Sequence, residues 1–163
     1  MKILLPLDGS AVSLQAVRQV IHLMRQGLRA EVVLANVQEP AQLYELVMAA
    51  DTALIARATE QAGAKALKAG EALLRHEGIP YATEIAVGDP AHTLIDIVER
   101  FGCDMVVMGA RDKGSLRSAL LGSVSHEVLH AAQVPVMLIK PSTVADPDVD
   151  VDVDVDANVQ PAD

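Results

Sequence analysis

Three short stretches of this chain combine residue types at spacings that could do chemistry. HEVLH, residues 126 to 130, puts His126 and His130 one helical turn apart with Glu127 beside them. Two imidazoles so placed can share a zinc ion, with the carboxylate as general base. The second stretch, 109 to 125, reads GARDKGSLRSALLGSVS. Its Gly109 and Gly114 have the spacing of a Walker loop, but Ser115 and Leu116 follow where Lys and Ser/Thr are required. Its far end is more informative. Gly122, Ser123, Val124 and Ser125 open a helix, where free backbone N–H groups and the positive dipole end favour an anion. Gly122 would admit a phosphate close to the backbone, and the two hydroxyls would add donors. A plain turn followed by an N-cap fits the same residues, and spacing alone leaves both readings open. The third stretch is Asp8-Gly9-Ser10, directly after an apolar run.

The zinc reading fails on its surroundings. Such sites need a third protein ligand, and no histidine follows His130; the downstream candidates are aspartates of the tail. Val124, Val128 and Ala131 mark the buried face of the helix, so both histidines are expected to point away from it into solvent. His22, His76 and His92 are isolated, with surface positions expected for each. Cys103 reads as a small apolar filler before a strand.

The elements that must position these residues alternate between short apolar runs and helical patterns. Ile3 to Leu7 reads as a strand. Ser10 is an N-cap, with Leu14, Val17, Val20, Ile21 and Met24 on one helical face and Gly27 at its end. Val32 to Val37 is a second strand, broken by Pro40. Residues 41 to 76 have helix composition, but Gly63, Gly70 and the total length suggest an interruption or a mobile entry loop. Tyr81 to Val87 alternates, with Thr83, Ile85 and Val87 on one face, as a half-exposed edge strand does. Pro90 suits a first helical turn, with Leu94, Ile95, Ile97 and Val98 behind it. Asp104 precedes a fourth strand, Met105 to Met108, and Val134 to Ile139 is a fifth. Strands apolar on both faces and alternating with helices predict a parallel sheet covered on both sides. In such sheets ligands bind beyond the carboxyl ends of strands, where the strand order reverses. Asp8-Gly9-Ser10 and Gly109-Ala110-Arg111 both fall at strand ends.

Composition limits the function further. Of 163 residues 51% are hydrophobic but only 2% aromatic, so the core must be aliphatic. The net charge of -9 is concentrated in the tail. Residues 141 to 163 hold seven of the 22 acids and no Lys or Arg, leaving 15 acids against 13 bases in residues 1 to 140. That body has no basic stripe and few bases' worth of stacking surface, so no nucleic-acid binding is expected. The single cysteine fits a reducing compartment. No apolar run reaches the roughly 18 residues of a membrane span, and the N-terminal apolar stretch is too short for a secretory leader. A cytoplasmic protein without membrane association is expected. The Val/Asp alternation of the tail predicts a solvated, largely disordered extension, with an added edge strand as the alternative.

Residues 1 to 140 resemble the universal stress protein family. The resemblance rests on PLDGS at the first strand end, GDPAHTLIDIV, DMVVMGAR and LLGSVSHEVLHAAQVPVMLI. It implies a three-layer α/β/α domain over 1–140 with a five-stranded parallel sheet, order 3-2-1-4-5, and dimers formed through the last strand. Nucleotide-binding members hold ATP with a Gly-x2-Gly-x9-Gly-Ser/Thr motif. Gly109 matches its first glycine and Gly122-Ser123 its last pair, but Asp112 stands where the middle glycine should be. A carboxylate there repels phosphate, yet Asp tolerates left-handed backbone and could face a Mg2+ ion carried by the phosphates. Arg111 and Lys113 flank it and offset part of its charge. The resemblance also places Asp8 and Val37 beside the adenosine, and shows Asn36 where a histidine is frequent.

The reading that follows is a cytoplasmic, adenine-nucleotide-responsive regulatory module and not an enzyme. Asp8 and Val37 would hold the adenosine. Gly109, Arg111, Asp112, Gly122, Ser123, Val124 and Ser125 would surround the phosphates of ATP, with Mg2+ and without zinc. A homodimer would form through Val134, Val136 and Leu138, an apolar edge that would otherwise be a liability, and a further protein partner is implied. The alternative is a dimeric interaction module that has lost nucleotide, with Asp112 as the lesion.

Overall fold

β1 (Lys2–Pro6) holds three consecutive residues, Ile3, Leu4 and Leu5, at 0% exposure. Only a strand covered on both faces buries an unbroken run in this way. The computed structural model describes residues 1–39, 52–110 and 121–140. In it β1 lies at the centre of a parallel sheet with β2 (Glu31–Gln38), β3 (Tyr81–Val87), β4 (Met105–Gly109) and β5 (Val136–Ile139). The order is β3-β2-β1-β4-β5, as expected from the sequence, and helices cover both faces. Val134 and Pro135 precede β5 instead of belonging to it.

On one face, α1 (Ala11–Arg25) and α2 (Thr52–His76) bury Val17, Val20, Ile21, Leu67 and Leu74 against Ile3, Leu5, Val32 and Leu34. On the other, α3 (Pro90–Phe101) and α4 (Ser123–Ala131) bring Ala91, Leu94, Ile97 and Val128 onto Leu4, Val33, Ala35 and Val106. Capping follows sequence chemistry. Ser10 accepts from the Ser13 N–H at 3.2 Å to start α1, and Asp89 accepts from the His92 N–H at 3.0 Å to start α3, with Pro90 in its first turn. Cys103 is buried beside the second cluster, and burial pushes its thiol pKa up.

Two expectations are corrected. Gly63 and Gly70 do not interrupt α2, which runs unbroken for 25 residues. They are points of close approach to the sheet. A Cβ at Gly63 would lie 2.5 Å from Ile85 Cγ2, and one at Gly70 would lie 2.5 Å from Leu7 Cδ1. Ala131 is exposed, not buried: the inward face of α4 is Val124, Ser125 and Val128. A hydroxyl therefore replaces an expected apolar contact, for a reason that lies in the site. The tail from residue 141 and the proline at 40 lie outside the described residues.

Candidate functional site

The strand order reverses between β1 and β4, and a cavity of about 510 Å³ opens beyond their carboxyl ends. This is the crevice that open parallel sheets offer to ligands, and its volume suits a small molecule. The chain leaving β1 forms its floor. Asp8 Oδ1 accepts from the Ser10 N–H at 2.9 Å, and Gly9 turns the backbone at a φ of 79°, a conformation that favours glycine. A Cβ on Gly9 would lie 3.6 Å from Ala66 Cα, so α2 passes directly above this turn.

The cleft's lining from the chain after β1, from β2 and from α2 includes the apolar Leu7, Ala35, Val37, Ala62 and Ala66. The opposite end is formed by Met108 and Gly109 of β4 with Gly122, Val124 and Ser125. There the backbone N–H groups of Ser123, Val124 and Ser125 find no acceptor among the described residues. Three converging N–H groups on the first turn of a helix suit an anion.

The ends of segment 111–121 are tied together below this turn. The Gly122 N–H donates to the Ala110 carbonyl at 3.1 Å, and Ser125 Oγ donates to the Gly109 carbonyl at 2.8 Å. Ser125 is only 4% exposed. Its hydroxyl hydrogen is thus committed to bracing the end of β4, which corrects the expectation that it donates to a ligand. Nor is the Gly122 N–H free. Gly109 is small for a packing reason: a Cβ would sit 2.9 Å from Val12 Cγ1 and 3.3 Å from the Ser13 nitrogen.

Of the residues expected from sequence to form a site, Asp8, Val37, Gly109, Gly122, Val124 and Ser125 line the one cleft. Ser123 lines an adjoining lobe with Glu39, Asp89 and Glu127. The Asp89 carboxyl is held below its ordinary pKa by the His92 backbone N–H and then by the His92 ring. Arg111 and Asp112 lie outside the described residues. Lys65, Gln38, Ala62 and Ala66 were not foreseen as lining residues. A signal for the α2 contribution existed: Ala62, Gly63, Ala66 and Gly70 form a small-residue stripe at helical spacing. His126 and His130 are exposed, their ring centroids 4.5 Å apart. Among the described residues no three His, Cys, Asp or Glu side chains gather as a metal site, and no helix among them is long and apolar enough to cross a membrane.

The fold and cleft define a doubly wound parallel α/β protein with a ligand-sized crevice at its switch point. The model of the universal stress protein family matches residues 1–140, and the chain belongs to that family. It is 32% identical over 139 residues to universal stress protein MJ0531 of Methanocaldococcus jannaschii, covering 85% of this chain and 81% of that one. The solved structure of MJ0577 from the same organism superposes with a TM-score of 0.75 at 28% identity, covering 88% of this chain and 97% of the other. More distant structures share the fold. One from Arabidopsis thaliana with AMP bound has a TM-score of 0.63 at 18% identity, covering 88% and 93%. A universal stress protein in complex with cAMP has 0.56 at 20%, covering 87% and 98%.

Proposed function

We propose that this protein is a regulatory module that binds an adenine nucleotide in the cleft beyond β1 and β4. The carrying observation is the continuity of that cleft, from apolar lining suited to a base to the N–H groups opening α4 that have no acceptor among the described residues. Asp8 and Val37 would contact the adenosine. Gly109 and the N–H groups of Ser123, Val124 and Ser125 would receive phosphate, joined by Arg111 and by Asp112 facing a phosphate-bound Mg2+. The nucleotides in two fold relatives support this choice of ligand. ATP would be held as a signal and not turned over. It would act by binding one conformation or assembly of the protein better than another. The assembly proposed is a cytoplasmic homodimer through β5, the edge strand of the sheet among the described residues, whose four residues are all half-buried in the single chain.

Calorimetric titration of ATP, with and without Mg2+, into the wild type and Asp112→Gly tests the reading. Saturable, Mg2+-dependent binding by the wild type supports it. Binding by the glycine variant alone would mean that Asp112 closes the phosphate end, leaving a dimeric interaction module. Steady phosphate release would contradict a non-catalytic role.

A further inference from the structure

One row of side chains on β2 changes chemistry as the strand leaves the core. Val32, Leu34, Asn36 and Gln38 alternate onto a single face. The first two are buried between sheet and helices, and the last two carry amides into the cleft.

These amides have a fixed polarity. The Leu7 carbonyl can only accept, so the Asn36 atom facing it at 2.6 Å is Nδ2. Asn36 Oδ1 is then an acceptor, and Gln38 Nε2 donates to it at 2.5 Å. Turning Asn36 over would set two carbonyl oxygens against each other at a residue only 4% exposed. The relay therefore ends on Gln38 Oε1, an acceptor without a partner among the described residues. It belongs to the β1–β2 side of the cleft, on the strand face shared with Leu34 and opposite that of Ala35 and Val37, and is contributed by a different element from the N–H groups of α4.

We infer that Gln38, oriented by Asn36, selects a 6-aminopurine over a 6-oxopurine in this cleft. The inference rests on the nucleotide reading above and adds the residue that would choose the base. An exocyclic amino group donates to Gln38 Oε1. A 6-oxo group would place an acceptor against it, and the buried Asn36 would resist the turn of Gln38 needed to relieve the conflict.

The test is titration of ATP and ITP, whose bases differ at position 6 and in the N1 proton that follows from it, into the full chain. Wild type, Gln38→Met and Asn36→Leu are compared, with thermal melts to show that each is folded. The wild type should bind ATP about tenfold or more tightly than ITP. Gln38→Met should weaken ATP, strengthen ITP by removing the opposed acceptor, and bring the two within about twofold. Asn36→Leu, if folded, should strengthen ITP relative to ATP by freeing the Gln38 amide to turn. Equal binding of ATP and ITP by the wild type would overturn the inference, and would point to Lys65 as a donor to the 6-oxo group. An unchanged ratio in Gln38→Met would overturn it too. In both cases the nucleotide reading would stand. Failure of the wild type to bind either nucleotide would overturn both.

Discussion

Ser125 shows how a residue can be placed correctly and its work misread. Its type and position at the start of α4 suggest a donor to phosphate, but its hydroxyl instead holds the Gly109 carbonyl at 2.8 Å. Ser125→Ala leaves that carbonyl without its partner. It should lower stability by about 1 kcal/mol, read as a fall in melting temperature, and change nucleotide affinity less than twofold. A large loss of affinity with unchanged stability would restore the hydroxyl to the ligand. Asn36 shows the reverse. It is legible in the sequence only as a departure from a common histidine, and its work depends on the Leu7 carbonyl 29 positions away. Spacing cannot reveal a partner that only the β1–β2 pairing brings near. Asp8, Gly9 and Gly122 were legible because strand ends and helix starts are local features with local signatures.

At the scale of elements, α2 sets helix propensity against packing. On propensity, Gly63→Ala inside a long helix should stabilise by about 1 kcal/mol. In the structure the added Cβ meets three atoms of Ile85 at 2.5 to 2.9 Å, and such overpacking costs about 1–3 kcal/mol. We expect Gly63→Ala to melt below the wild type; a higher melting temperature would show that Ile85 moves aside freely. The same conflict explains why the glycines of α2 read as a break: composition records the missing side chain but not the strand that excludes it. A second element-level test concerns the ends of α1 and α2. Arg25 donates to both carboxylate oxygens of Glu77, at 2.9 and 2.6 Å. This holds the Glu77 carboxyl below its ordinary pKa, with His76 contributing less. A carboxylate depressed in the folded state stabilises above its unfolded pKa and loses that contribution as pH falls through the folded value. Acid titration from pH 5 downward should therefore lower the melting temperature of the wild type more than that of Glu77→Gln. Parallel curves would show that the pair adds nothing.

At the scale of the whole molecule, layering was legible because it follows from the alternation of apolar strands and helices, whereas the sheet order was legible only through the resemblance to universal stress proteins. The edge position of β5 among the described residues was legible in its sequence, through Pro135 and the apolar run after it. The structure adds that Val134, Val136 and Leu138 already pack inward against the α3–α4 cluster. A dimer would therefore use the backbone edge as much as these side chains. Light scattering in solution should give twice the 17.2 kDa chain mass, and a single-chain mass at working concentration would remove the dimer from the account.

The central claim is that an adenine nucleotide occupies the cleft between its apolar lining and the first turn of α4. The most direct measurement is a backbone-amide NMR titration of the full chain with ATP and Mg2+. We predict saturable shifts at Gly9, Asn36, Val37, Gly109 and the three amides Ser123, Val124 and Ser125, with little change along α1. Spectra unchanged at saturating nucleotide, or shifts confined to residues outside this cleft, would contradict the account.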